Sequence, residues 1–130
     1  MKFWIGRFLI GLVVIWNLQC AIAFLWQPQV YSPGFELENI PGKAMVQGVG
    51  LLFLMWNVPY LVAAFHPQKH RISLYEAIVM QAIGLVGEAI LLMLLPGEHL
   101  TIQATVTRFI LYDASGLVML FAALLITRQR

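Results

Sequence analysis

Charge is scarce in this chain. Only 11% of its 130 residues are Asp, Glu, Lys or Arg, and 61% are hydrophobic; an ordinary soluble domain carries about 25% charged residues. Cysteine is scarcer still. Cys20 stands alone, which excludes an internal disulfide and any Cys-based zinc or iron–sulfur site. The histidines, His66, His70 and His99, fall between the apolar stretches and not inside them, which argues against axial haem ligation. No cofactor and no metal are expected. Ser32, Ser73 and Ser115 have no His/Asp arrangement that would make one of them a nucleophile. Nor is there a basic patch suited to nucleic acid. Linkers, low-complexity tracts and internal repeats are absent, so residues 1–130 read as one domain.

Apolar sequence fills the space instead. Four stretches, about 3–26, 44–65, 73–95 and 105–127, each hold roughly 20 or more residues, enough at 1.5 Å of rise to cross a hydrocarbon core of ~30 Å. The expected class is all-α: an integral membrane four-helix transmembrane bundle whose chief partner is the lipid bilayer. Lys2, Arg7, Lys69, Arg71, Arg128 and Arg130 fall on one side of a four-span topology, and Lys43 and Arg108 lie nearer the other side with Glu36, Glu38 and Glu98. The positive-inside rule puts the first set, and with it the N-terminus and the C-terminus, in the cytoplasm. The expected location is multi-pass, in a bacterial-type inner membrane or a plasma membrane. Ala21-Ile22-Ala23 resembles a signal-peptide cleavage site, but the apolar run continues to Trp26, and an uncleaved first helix is the preferred reading.

Local signals mark the ends. Trp4 and Trp26 flank span one as interfacial anchors, whereas Trp16 falls near its middle, where it would pack on a neighbour. Pro28, Pro33 and Pro41 break the first gap, 27–43, with Ser32-Pro33-Gly34 as a turn. Phe35, Leu37 and Ile40 suit a surface segment or a lid. Gly48 and Gly50 would permit close helix approach. Pro59 predicts a kink in span two, with Asn57 bonding the carbonyls it frees. Ser73-Leu74-Tyr75-Glu76 reads as a capping box opening span three, which gives Glu76 a structural role. Pro96-Gly97 ends that span. Cys20 reads as a buried, inert thiol.

The informative residues are those that break the apolar rule. Glu88 lies ~10 Å inside the outer end of span three, and Asp113 lies ~12 Å inside span four if that span starts near Thr105. Arg108 sits nearer the mouth on the same helix. Asn17 and Gln19 in span one and Gln47 in span two reach the same half. By depth these form one outer-leaflet layer, in which Arg108 would pair with at least one acid, because a charge at the bilayer centre costs about 2.5–3.5 kcal/mol. Asn57 and Gln81 form a second, inner set. The leading expectation is a non-catalytic subunit or self-associating component of a membrane complex, its partners other membrane subunits or itself, with Phe53, Trp56 and Phe121 as helix-docking aromatics. Two alternatives stand beside it: an oligomeric ion- or proton-coupled transporter or channel using the carboxylates, and a module binding a lipid or small ligand beneath the 27–43 segment. No catalytic residue is assigned.

Overall fold

The computed structural model describes residues 1–128; Arg130, expected on the cytoplasmic side, lies outside them. Four long helices make up most of the chain: α1 Lys2–Trp26, α3 Asn39–Phe65, α4 Arg71–Leu94 and α5 Leu100–Thr127. Between α1 and α3 the chain forms a short helix, α2 Pro28–Tyr31, and a 3-10 turn, Ser32–Phe35. No strand occurs among the described residues.

The long helices hold 24 to 28 residues, or about 36–42 Å by rise, more than the ~30 Å of a hydrocarbon core. All four are long and apolar enough to cross a membrane. They alternate in direction around a square. α1 packs on α3 and α5, and α4 packs on the same two, while α1 and α4 sit on a diagonal, as do α3 and α5. One end of the bundle carries Met1, the α3–α4 turn and Arg128; it is called the terminal end below. The other, the loop end, carries residues 27–38 and the α4–α5 connection.

The interior is narrow. Ile10, Val13, Tyr60, Leu74, Leu120 and Ala123 pack along the bundle axis. Outward faces are apolar as well: Phe8, Ile15, Met55, Ile83 and Val118 are all exposed. In water such continuous apolar surface is a liability. In lipid it is the solvent-matched face, and the helix keeps every backbone polar group bonded internally. The chain thus has the make-up of a small multi-pass membrane protein. Trp4 and Trp26 are both exposed near the two ends of α1, where amphipathic rings set depth.

Several boundaries differ from the sequence expectation, each for a physical reason. α3 starts at Asn39 rather than near 44. Pro41 does not prevent this, because it sits in the first turn, where a backbone N–H has no intrahelical partner to lose. Asn39 itself takes a left-handed φ of 58°, a conformation that asparagine tolerates better than most residues. α4 starts at Arg71, two residues before Ser73, and no side chain caps it. The expected capping box at Ser73 and Glu76 is therefore not formed: the turn entered through His66 already feeds the helix, with the His70 N–H bonded to the His66 carbonyl at 2.9 Å and that of Leu74 to His70 at 3.2 Å. α5 starts at Leu100, five residues before Thr105, since no glycine or proline interrupts 100–105. α3 runs through Pro59 without a break.

At the terminal end, Arg7 donates from Nε to the Ala64 carbonyl at 3.0 Å. Carbonyls in a last helical turn lack intrahelical donors, so this contact satisfies one of them with a favourable charge. The guanidinium carbon lies 4.9 Å from the Trp4 ring centre, which adds a cation–π contact.

Candidate functional site

A hydrogen-bonded chain crosses three helices in mid-bundle. The Tyr60 hydroxyl on α3 donates to Gln81 Oε1 on α4 at 2.7 Å. Gln81 Nε2 donates to Asp113 Oδ1 on α5 at 3.0 Å and to the Asp113 carbonyl at 3.3 Å. Tyr60 and Gln81 are buried, so each polar atom left unpaired would carry a desolvation penalty. Two glycines make the room. A Cβ at Gly84 would run into Asp113 Oδ2, and one at Gly116 would come within 2.7 Å of Gln81 Nε2. The expected split into an outer set with Asp113 and an inner set with Gln81 is not what forms: these two side chains are bonded to each other.

The early start of α5 explains the difference. Asp113 lies 13 residues past Leu100, about 20 Å along the helix, not ~12 Å. It is level with Gly84, about one turn deeper than Glu88. Glu88 sits on the next turn of α4 toward the loop end. Its Oε2 is buried and has no hydrogen-bond partner.

Toward the loop end the bundle opens into a cavity of about 570 Å³ between α1 and α5, within the size range of small-molecule sites. The floor carries Gln81 and Asp113, and the walls carry Cys20 and the aromatic rings of Trp16, Phe24, Phe53 and Phe109. Phe24 sits 6.2 Å edge-on to Phe109 and 6.1 Å from Phe53. Such offset and edge contacts are the favoured geometry for aromatic rings. Cys20 is half-buried on the cavity wall rather than sealed in packing. Phe53, expected to face outward as a docking residue, turns inward instead, because it shares a face of α3 with buried Gly50, Asn57 and Tyr60. Trp16 packs edge-on against Tyr112 at 6.0 Å, as its mid-span position suggested.

Residues 28–35 roof this cavity. Val30, Tyr31, Gly34 and Phe35 all line it. Three contacts hold the roof to α5 and the connection before it. The Thr105 hydroxyl donates to the Gly34 carbonyl at 2.6 Å. Phe35 stacks on Phe109 with ring centres 6.2 Å apart and planes 24° from parallel. Just beyond the roof, His99 Nδ1 meets Glu36 Oε2 at 2.6 Å. His99 is thus a tie between the two loop-end connections, which its place beside Glu98 in the sequence did not suggest. Glu36 holds a left-handed φ of 53°, so the chain turns sharply where it is tied. Ile40, by contrast, is exposed.

The other candidate residues divide clearly. Asn17, Gln19 and Arg108 line the cavity beside Asp113. Arg108 and Gln19 are exposed and mark its mouth. Arg108 forms no ion pair with Asp113 or Glu88; the His99–Glu36 contact is the one acid–base pair within 4.0 Å among the described residues. The expected Arg108–acid pair is therefore absent, the Asp113 carboxylate being turned toward α4 by Gln81. Gln47 lies away from the cavity and donates to the Leu25 carbonyl at 3.3 Å. Asn57 does not bond carbonyls freed by Pro59. Its Nδ2 reaches the Val14 carbonyl on α1 at 3.4 Å, and its Oδ1 is buried without a partner. Gly50 does allow close approach, with the Ala21 carbonyl 3.1 Å from where a Cβ would stand, while Gly48 has nothing within 4 Å. No cluster of three or more metal-ligating side chains occurs among the described residues.

Set against known protein families, curated proteins and solved structures, the chain matches none. The fold and the cavity define a class, a four-span membrane protein with an aromatic-walled pocket near one end of its bundle.

Proposed function

We propose that this protein is a non-catalytic membrane module that binds a lipid or small amphiphile in the cavity beneath residues 28–35. One observation carries the reading: a 570 Å³ space in which seven of the eighteen lining residues are aromatic, with polar side chains of α1, α4 and α5 set among them. A dry apolar body with a small number of placed polar groups is the usual make-up of a ligand site. The fixed roof supports it further, since its bonds to α5 keep the space open without filling it. Mass spectrometry of lipid extracted from purified protein tests the proposal. A stoichiometric amphiphile retained by the wild type and lost from Ala23→Trp, which fills the cavity, is expected. Equal lipid content in both would refute it.

The proposed orientation follows the charges. Lys2, Arg7, Lys69, Arg71 and Arg128 gather at the terminal end, with Glu36, Glu38 and Glu98 at the loop end. We place the terminal end in the cytoplasm on that basis, so the cavity belongs to the outer leaflet. The same placement suits a bacterial inner membrane or a plasma membrane.

Glu88 favours a second reading, in which the protein is an oligomeric ion- or proton-coupled transporter or channel. A partnerless buried oxygen in a spanning helix is a functional-site hypothesis by default. Unchanged proton flux into liposomes on Glu88→Gln and Asp113→Asn would dismiss that reading. Trp56 and Phe121 are about half exposed and suit docking on a partner helix, so a ligand-binding subunit of a larger assembly is compatible with both.

A further inference from the structure

The cavity is polarised from mouth to floor. Hydrogen-bond donors line it on two helices: the exposed Arg108 guanidinium and Gln19 amide at the mouth, and the half-buried Asn17 amide further in. None of the three side chains has a hydrogen-bond or ion-pair partner among the described residues. Arg108 lies eight residues past the start of α5, about 12 Å along the helix. No acid pairs with it among the described residues. Asp113 Oδ1 is held by Gln81, and Oδ2 faces Gly84 across the α4–α5 seam. Glu36 is engaged by His99. The roof and walls beside this donor cluster are the rings of Phe24, Phe35 and Phe109.

We infer that the cavity takes an amphiphile with an anionic head, a carboxylate or a phosphate, held by Arg108 with Asn17 and Gln19, while its apolar body lies among Phe24, Phe35 and Phe109. The inference rests on the pocket reading above and adds the head chemistry and the direction of entry. A guanidinium presents its N–H groups as a planar fork that fits both carboxylate and phosphate oxygens. The Asp113 carboxylate sets the opposite end: an anion placed at the floor would meet like charge, so the head stays at the mouth. A neutral amphiphile of the same chain would fill the walls equally and leave Arg108 unpaired.

The test compares equilibrium binding of radiolabelled oleate, oleoyl-lysophosphatidate and monoolein to the full-length protein in a nonionic detergent. These probes share one acyl chain and differ in the head. At least one anionic probe is expected to bind about tenfold more tightly than monoolein, the difference of one charge-assisted contact, about 1.4 kcal/mol. The tighter of the two anionic probes identifies a carboxylate or a phosphate as the source. Arg108→Gln should abolish the preference, with a wild-type helical circular dichroism spectrum and melting profile showing that the variant folds; Arg108→Lys should keep part of the preference. Gln19→Leu, at an exposed position, should weaken the anionic probes more than monoolein. Equal affinity for all three heads, or a preference that survives Arg108→Gln, would overturn the anionic-head inference and leave the pocket standing. Binding of every probe that is indifferent to Ala23→Trp would overturn the pocket itself.

Discussion

Gly84 on α4 stands against Asp113 on α5 with no room for a side chain: a Cβ at 84 would strike the Asp113 carboxylate. This close approach sets the level at which α4 and α5 meet. It also brings Gln81, one turn away on the same face of α4, into bonding distance of Asp113.

Gly84→Ala should therefore destabilise the bundle. The neighbour that must move is a carboxylate already fixed by Gln81, so the overpacking cost is about 1–3 kcal/mol. Gly87, three residues on, has nothing within 4 Å of its would-be Cβ. Gly87→Ala should be neutral or slightly stabilising, since alanine is the better helix former. Unfolding in mixed detergent, with both variants side by side, checks the contrast. Equal effects would mean that the α4–α5 seam is not as close as described.

The Tyr60–Gln81 bond should be worth little by itself. Interhelical hydrogen bonds in membranes average about 0.6 kcal/mol, because unfolded helices find other partners. A double-mutant cycle of Tyr60→Phe and Gln81→Ala should give a coupling of about that size. Gln81→Leu should cost more than Tyr60→Phe, since it also leaves Asp113 without its donor. A coupling of zero would show that the network is not formed in the native bundle.

The roof over the cavity should loosen when its ties are cut. Thr105→Val removes the donor to Gly34 while keeping the shape of the side chain, and His99→Ala removes the pair with Glu36. An exposed pair of the latter kind contributes about 0.2–1 kcal/mol. Faster amide exchange confined to residues 28–38, with the long helices unaffected, is the expected result. Exchange that rises uniformly would mean that these contacts hold the whole bundle and not the roof.

The proposed orientation predicts that a reporter fused after Arg130 is active in the cytoplasm and that one inserted near Gly97 is active outside. The opposite pattern would invert both ends and move the cavity to the inner leaflet.

Much of this was readable before any coordinates. Length and apolar content gave the four helices, because a spanning helix must be long, continuous and internally bonded. Asn17, Gln19, Arg108 and Asp113 were recognisable as exceptions and do gather around one space. Depth was harder to read. Counting from Thr105 placed Asp113 beside Glu88, whereas a helix starting at Leu100 carries it one turn deeper, to Gln81. The one mark of that earlier start is negative, the lack of glycine and proline over 100–105. Facing was harder still. In a lipid-exposed bundle both sides of a helix are apolar, so amphipathic periodicity gives little help in telling Phe53, which turns inward, from Trp56, which does not. The spacing of Gly50, Phe53, Asn57 and Tyr60 was the available clue, small and polar residues recurring on one face. The tie between His99 and Glu36 spans 63 positions and has no sequence signature.

The most direct test of the account is where a bound amphiphile lies. A fatty acid carrying a diazirine in its chain can be photocrosslinked to the full-length protein in nanodiscs and the adducts mapped by peptide mass spectrometry. Adducts concentrated on residues 16–24, 30–35 and 105–113, and displaced by excess oleate, are predicted. Adducts spread over outward positions such as Ile83, Val86 and Met93, with no displacement, would contradict the account.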